Sequence, residues 1–242
     1  MFEIACIVDA GACQKDNDDR ALVNSTIIVD GSYNTTADEV IAIVCDGVGG
    51  ENFGSVAANI IVDYFSNIGL KSLSVEEIKE HIKRANSKLV EHQNKDSAYK
   101  RMATTIAGIS IFNDDIVAFN VGDSKIYKYR EPYISQLSID HTLVEELKGL
   151  NIEISEEHKH VITRCLGGEN SDPFVYEKKD SIMKDDVLLL CSDGISDVIS
   201  EIELEDVISK KMNILEMCKY LINTAIEKGS NDNITIMIIR RV

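Results

Sequence analysis

Apolar and polar residues alternate, or apolar residues rich in Val and Ile form short runs, in eight parts of the chain. Such short segments predict β-strands, because successive side chains on a strand point to opposite faces of a sheet. The predicted strands are residues 3–8, 21–29, 40–45, 104–112, 116–121, 125–129, 187–191 and 233–239.

A helical period, with apolar residues three and four positions apart, appears in three longer segments: residues 55–65, 74–92 and 214–228. The second begins with SVEE, which has the pattern of a capping box. A further short helix is predicted to begin near Thr142. Because strands and helices do not alternate regularly along the chain, the order predicts a mostly antiparallel α+β domain rather than a doubly wound sheet.

Composition limits the classes of function that the chain can have. The 242 residues carry a formal net charge of −16, which argues against nucleic-acid binding and against anionic membrane surfaces. The N-terminal segment lacks the features of a signal peptide, and no apolar run is long enough to cross a membrane. The six cysteines form no CxxC pair, which suits a reducing compartment. We therefore expect a single cytoplasmic domain over residues 1–242.

Aspartates recur where apolar strands end. They lie in five motifs: NDD at 17–19, CDGVGG at 45–50, VGDS at 121–124, CSDGISD at 191–197 and SNDN at 230–233. Any one of these motifs is most simply an ordinary turn. Five of them at strand ends would gather carboxylates at one edge, where oxygen ligands suit Mg²⁺ or Mn²⁺.

The glycines after Asp46 favour a metal interpretation of this cluster. A carboxylate that bridges two ions needs little side-chain bulk around it, and Gly47, Gly49 and Gly50 provide that room. Two adjacent ions lower the pKa of a bound water and neutralise charge on a transferring phosphoryl group. The residues alone therefore indicate a metal site that acts on a phosphate.

Eight blocks of sequence, in order, resemble the PPM family of metal-dependent serine/threonine protein phosphatases, the type-2C phosphatases. The blocks are GACQKDNDDRALV (11–23), CDGVGGENFGSVAA (45–58), ATT (103–105), NVGDSKIYKYR (120–130), LSIDHTLVEEL (137–147), ITRCLGG (162–168), LLLCSDGISD (188–197) and GSNDNITIMII (229–239). The resemblance implies a four-layer α-β-β-α sandwich of two antiparallel sheets flanked by helices. The chain resembles the bacterial type of this family.

The same resemblance implies roles for individual residues. Asp46 would bridge two Mn²⁺ or Mg²⁺ ions, and the carbonyl of Gly47 would bind the second ion. Asp193 and Asp232 would complete the first, so Asp46, Asp193 and Asp232 form the implied catalytic set. A hydroxide that bridges the ions would attack phosphorus in line, without a covalent phosphoenzyme.

Three further acids complete the implied metal site. Asp18 and Asp19 match the family's acidic pair, which holds metal-bound waters or the second ion. Asp123 matches the acid that shares a third, weaker ion with Asp193.

The chain departs from the family pattern in three places. Gln14 stands where the family usually has an Arg that holds the substrate phosphate, and Lys15 beside it is the candidate replacement as a point charge. Val48 replaces the His that many eukaryotic members carry. The flap segment, at about 141–162, is shorter than in most bacterial members, which affects substrate choice.

The leading hypothesis is a cytoplasmic, monomeric phosphatase that removes phosphate from Ser or Thr of proteins and opposes a cytosolic serine/threonine kinase in bacterial signalling. Gln14 keeps open an alternative from another class, a phosphoprotein-binding regulatory pseudo-phosphatase. A metal hydrolase of small phosphate esters is a third hypothesis.

Overall fold

The computed structural model describes residues 1–12, 16–48, 53–69, 73–148, 150, 158, 161–168, 173 and 175–242. Within these residues, two six-stranded antiparallel sheets stack face to face and helices cover both outer faces. This arrangement confirms the predicted α+β sandwich.

The first sheet brings together strands from both ends of the chain. In spatial order it contains β11 (Tyr133–Gln136), β10 (Lys125–Arg130), β13 (Val187–Cys191), β14 (Ile234–Arg241), β1 (Phe2–Asp9) and β4 (Gly31–Ala37). The second sheet contains β12 (Tyr176–Ser181), β9 (Asp115–Val121), β8 (Ile106–Phe112), β5 (Val40–Cys45), β2 (Arg20–Val23) and β3 (Thr26–Ile28). A separate two-stranded pair joins β6 (Gly47–Val48) to β7 (Ala103–Thr104).

The helices are divided between the two outer faces. Helices α1 (Gly54–Ser66) and α2 (Val75–Gln93) cover the second sheet, and a 3-10 helix (Ser97–Arg101) follows them. The first sheet is covered by α4 (Asp193–Ser196), α5 (Glu201–Ser209) and α6 (Ile214–Glu227). The short helix α3 (Leu143–Leu147) begins after Thr142, as predicted. No helix in the described residues is both long and apolar enough to span a lipid bilayer.

Three apolar layers separate the four layers of structure. Strand β1 shows why, because its alternate residues enter different cores. One face packs between the sheets through Phe2, Ile4, Cys6 and Val8. The other face packs against α6 through Ala5 and Ile7. The third layer lies between the second sheet and helices α1 and α2.

The strands that the sequence pattern missed lie at sheet edges. They are β4, β11 and β12, together with the two-residue strand β6. Edge strands are half-exposed and therefore polar, as in GSYNTTA of β4. The predicted strand 21–29 is instead a hairpin of β2 and β3, which turns at Asn24 with a positive φ of 57°. The helix α5 and the short helices at 97–101 and 193–196 were also not predicted.

Helix α2 provides a test of local stability, because its predicted capping box is present. The Ser74 hydroxyl accepts the backbone N–H of Glu77 at 3.2 Å, and the Glu77 carboxylate accepts the N–H of Ser74 at 2.9 Å. Replacing Ser74 with Ala is expected to lower the free energy of unfolding by about 1 kcal/mol, or roughly 2–4 °C in Tm. Thermal unfolding measures this.

The matched control is Ser87→Ala in the same helix. The Ser87 hydroxyl bonds back to the Lys83 carbonyl at 3.0 Å, an arrangement that does not favour a helix interior. The control should therefore leave Tm unchanged or raise it slightly. Equal losses in both variants would show that the capping box contributes nothing of its own.

Candidate active site

The aspartates of the five motifs converge at one end of the sandwich. Asp46 directly follows β5, and Asp19 directly precedes β2. Asp123 follows β9, Asp193 begins α4 just after β13, and Asp232 lies just before β14. The sequence therefore placed each acid at a strand end, and the antiparallel pairing brings those ends together.

Strand register fixes the two halves of this cluster. Arg20 of β2 pairs with Cys45 of β5, so Asp19 and Asp46 leave the second sheet side by side. In the first sheet, the backbone N–H of Ser192 donates to the Thr235 carbonyl at 3.1 Å. This contact holds Asp193 beside the start of β14.

The pKa values of the central acids show how closely their charges lie. Burial, followed by the charges of Asp193 and Asp19, raises the pKa of Asp46 well above its usual range. Burial also raises the pKa of Asp19 to about 7, and the charges of Asp193 and Asp232 add to the rise.

The same two causes act on Asp123 and Asp193. Burial and then the charge of Asp197 raise the pKa of Asp123 to about 6. Burial and then the charge of Asp123 raise the pKa of Asp193 to about 7, while a hydrogen bond with the Asp46 carboxyl opposes the rise. A concentration of carboxylates of this kind is stabilised by a cation.

Asp46 is held by its backbone. Its N–H donates to the Thr105 hydroxyl at 3.0 Å, and its carbonyl accepts the Thr105 N–H and the Thr104 hydroxyl, both at 2.8 Å. The Thr105 hydroxyl also bonds to Ser124 beside Asp123, at 2.8 Å. The ATT block therefore lies beneath the site.

Two glycines allow the chain to cross itself beside Asp46. A Cβ on Gly47 would collide with the backbone of Gly54, and a Cβ on Gly54 would collide with the carbonyl of Gly47. Asp18 lies in the same contact, because its carboxylate accepts the N–H of Ser55 in the first turn of α1 at 3.0 Å.

Sequence reasoning missed two residues that organise the acids. The Asn233 side chain accepts the N–H of Asp18 at 2.7 Å and donates to the carbonyls of Ala10 and Asp16 at 3.0 and 3.1 Å. The Ser192 hydroxyl donates to the Asp19 carboxylate at 2.7 Å. Both lie inside the quoted motifs SNDN and CSDG, but only the Asp of each motif drew a prediction.

The donor set fits hard divalent cations. All of its side chains offer oxygen, and the buried Oδ1 atoms of Asp123 and Asp193 have no hydrogen-bond partner. Within the described residues, no three His, Cys, Asp or Glu side chains form a ready-made ion cage. Mg²⁺ commonly uses only one or two carboxylates and keeps several waters, so Asp46 and Asp193 with the Gly47 carbonyl are a suitable set.

Two openings reach the cluster from solvent. A cavity of about 220 Å³ is lined by Asp123, Asp193 and the ion pair of Lys125 with Asp140, which are 2.9 Å apart. A second cavity of about 390 Å³ lies between Asp193 and Asp232. Asp123, Asp193 and Asp232 are therefore accessible from solvent on the side of α4.

Several predictions fall outside the described residues. These include the substrate contacts assigned to Gln14 and Lys15, and the flap at residues 149, 151–157, 159 and 160. His141, at the start of the flap, supports the structure, because its Nδ1 accepts the N–H of Gly122 at 3.1 Å.

The sequence of this chain is similar to those of known protein phosphatases. The family model described as Protein phosphatase 2C matches residues 29–229. The serine/threonine phosphatase stp of Listeria welshimeri is 32% identical over 227 residues, which cover 87% of this chain and 88% of that protein. Protein phosphatase PhpP of Streptococcus pneumoniae is 28% identical over 260 residues, covering 98% and 97%.

Solved structures show the same fold. The S. agalactiae serine/threonine phosphatase superposes with a TM-score of 0.85 at 26% identity, over all of both chains. The catalytic domain of the phosphatase PstP, solved with two manganese ions, superposes with a TM-score of 0.81 over 99% of both chains, and at 23% identity it shows the fold alone.

Proposed function

Because the chain belongs to the protein phosphatase 2C family, we propose that it is a Mn²⁺- or Mg²⁺-dependent phosphatase that hydrolyses phosphoserine and phosphothreonine in proteins. The observation that carries this proposal is the convergence of Asp46, Asp123 and Asp193, with partnerless buried carboxylate oxygens on two of them. Carboxylates that repel each other at neutral pH are a suitable receptor for divalent cations.

Each acid has a proposed part in holding the ions. Asp46 would bridge two ions, with Asp193 and Asp232 on the first and the Gly47 carbonyl on the second. Asp19 and Asp18 would complete the coordination of the second ion, directly or through water. Asp123 with Asp193 would hold a third, more weakly bound ion. Ions held by these residues would make hydroxide available at neutral pH for in-line attack and would neutralise charge on the phosphoryl group.

The chain's own groups would position these parts. Thr104 and Thr105 fix the Asp46 backbone, and the close contact of Gly47 with Gly54 would hold the Gly47 carbonyl in position for the second ion. Gln14 and Lys15 are the proposed contacts of the substrate phosphate, one as a hydrogen-bond donor and the other as a charge. We further propose phosphoprotein substrates of a cytosolic serine/threonine kinase, a monomeric state and a cytoplasmic location.

The proposal is tested by metal removal. After treatment with a chelator, phosphate release from a phosphothreonine peptide is expected to fall to background, because without the ions no hydroxide forms at neutral pH and the charge on the phosphoryl group is not neutralised. Titration of Mn²⁺, and separately of Mg²⁺, should restore release along a saturation curve. Malachite-green detection of phosphate measures this, and calorimetry of Mn²⁺ binding reports on the site independently of turnover.

The outcomes separate the alternatives. Binding of Mn²⁺ and of phosphopeptide without release would overturn the phosphatase and favour the regulatory pseudo-phosphatase that Gln14 suggested. Release from p-nitrophenyl phosphate but from no phosphopeptide would favour a hydrolase of small esters.

A further inference from the structure

An exposed group of cations lies beside the site in a chain that is otherwise strongly acidic. Lys95, Lys100 and Arg101, which we call the cationic ledge, fall within seven residues around the 3-10 helix that follows α2. All three are exposed, and in the described part of the chain none forms an ion pair. By contrast, Lys125, Lys128 and Arg130 are all committed to carboxylates.

The backbone ties the ledge closely to the acids. Arg101 lies three residues before Thr104, whose hydroxyl donates to the Asp46 carbonyl at 2.8 Å. Three residues of chain span at most about 10 Å. The Met102 carbonyl between them is held by the Gln93 side chain at 2.8 Å. The backbone of Arg101 therefore lies within about 10 Å of Thr104, so the Arg101 end of the ledge is near the rim of the metal site.

Aromatic packing anchors the 3-10 helix against the glycine crossing. The ring of Tyr99 meets the ring of Phe53 edge-on at 5.1 Å between centroids, and Phe53 precedes Gly54 at the start of α1. On its other side, Tyr99 packs against His92 at 5.1 Å. The cations thus stand on a packed element rather than on a free loop.

The opposite rim of the site has the opposite charge. Asp197 and Asp232 are exposed and line the cavities beside Asp193, on the side of α4 and the first sheet. The ledge lies on the side of α1, α2 and the second sheet. A substrate chain crossing the site would therefore meet carboxylates at one end and cations at the other.

We propose that the cationic ledge selects phosphoprotein segments that carry acidic residues two to three positions from the phosphorylated residue. An extended segment advances about 3.3 Å per residue, so such residues reach the ledge when the phosphate lies at Asp46. With a net charge of −16, the protein repels acidic segments elsewhere, and a local cationic rim mainly sets partner choice and association rate. This inference rests on the proposed function and names its substrate class.

The test compares two labelled phosphothreonine peptides that differ only in Glu against Gln at the flanking positions, tried separately on each side. The Mn²⁺-loaded protein is expected to show at least about a fivefold higher kcat/KM and tighter binding by fluorescence anisotropy for the Glu peptide. In Lys100→Ala/Arg101→Ala, this ratio should fall to about one. It should also shrink in wild type as salt is raised.

The matched control is Lys178→Ala/Lys179→Ala, which removes two cations from the edge strand β12 and should keep the wild-type ratio. A wild-type ratio of one or below, or a ratio that survives in Lys100→Ala/Arg101→Ala, would overturn the proposal. If no peptide is hydrolysed, the proposed function fails, and the ratio of binding constants still decides whether the ledge prefers acidic segments.

Discussion

Asp193→Asn is expected to lower kcat/KM for a phosphothreonine peptide by at least about a hundredfold. Asp193 contacts the Asp46 carboxyl and has a buried oxygen without a partner. Loss of a residue that merely orients a metal ligand costs roughly 10–100-fold, so loss of a ligand charge itself should cost more. The measurement is phosphate release over a full Mn²⁺ titration, so that weaker ion binding is distinguished from slower turnover.

The same substitution should stabilise the protein when a chelator is present. The pKa of Asp193 is raised from 3.8 to about 7 by burial and by neighbouring carboxylates. A raised carboxyl pKa means that the folded state binds the proton more tightly than the unfolded state does. Ionisation of Asp193 therefore destabilises the folded protein, and this loss of stability grows as pH rises from about 4 through about 7. The Asn amide does not ionise, so the variant avoids this loss of stability, and the amide can donate a hydrogen bond to the Asp46 carboxylate. We expect the free energy of unfolding at pH 7.5 to rise by about 1–2 kcal/mol.

These two effects of opposite sign separate an ion-binding role from a structural one. The control is Asp206→Asn, which changes an exposed acid on α5 and should alter neither turnover nor stability. If Asp193→Asn kept wild-type turnover, or melted earlier than wild type in chelator, the assignment of Asp193 to the ion site would be wrong.

The fold was most predictable where strands are buried. Residues 40–45 and 187–191 form β5 and β13 with the predicted bounds, because both strands are apolar throughout and lie inside their sheets. Strand β12, YEKKDS, has only one sheet neighbour and points polar side chains at solvent, so hydrophobic patterning does not reveal it. Its pairing with β9 is a tertiary contact that local sequence does not encode.

The sequence predicted the charged residues of the site better than the neutral residues that position them. An Asp at the end of an apolar strand is conspicuous because burying it is costly. Asn233 and Ser192 are neutral and common in turns, so their single positions give no such signal. Their importance appears only when the fold brings Asn233 against residues more than 200 positions away.

A second large effect is expected from Gly54→Ala. Its Cβ would lie 2.7 Å from the Asp18 carboxylate and from the Gly47 carbonyl carbon, and closer still to the Gly47 oxygen. Ala normally improves a helix over Gly by up to about 1 kcal/mol, whereas overpacking a tight contact costs roughly 1–3 kcal/mol. We therefore expect a net loss of stability, although the substitution is usually favourable.

Activity should suffer more than stability, because the atoms that must move are the proposed ligands. Displacing the Gly47 carbonyl by about 1 Å is enough to cost on the order of 100-fold in turnover. The control is Gly69→Ala, beyond the other end of α1, where φ is +76° and nothing lies within 4 Å of the new Cβ. It should lower stability by roughly 1–2 kcal/mol through backbone strain alone and leave kcat/KM unchanged. Comparable losses of activity in both variants would mean that α1 as a whole, rather than the crossing of Gly47 and Gly54, sets the geometry of the site.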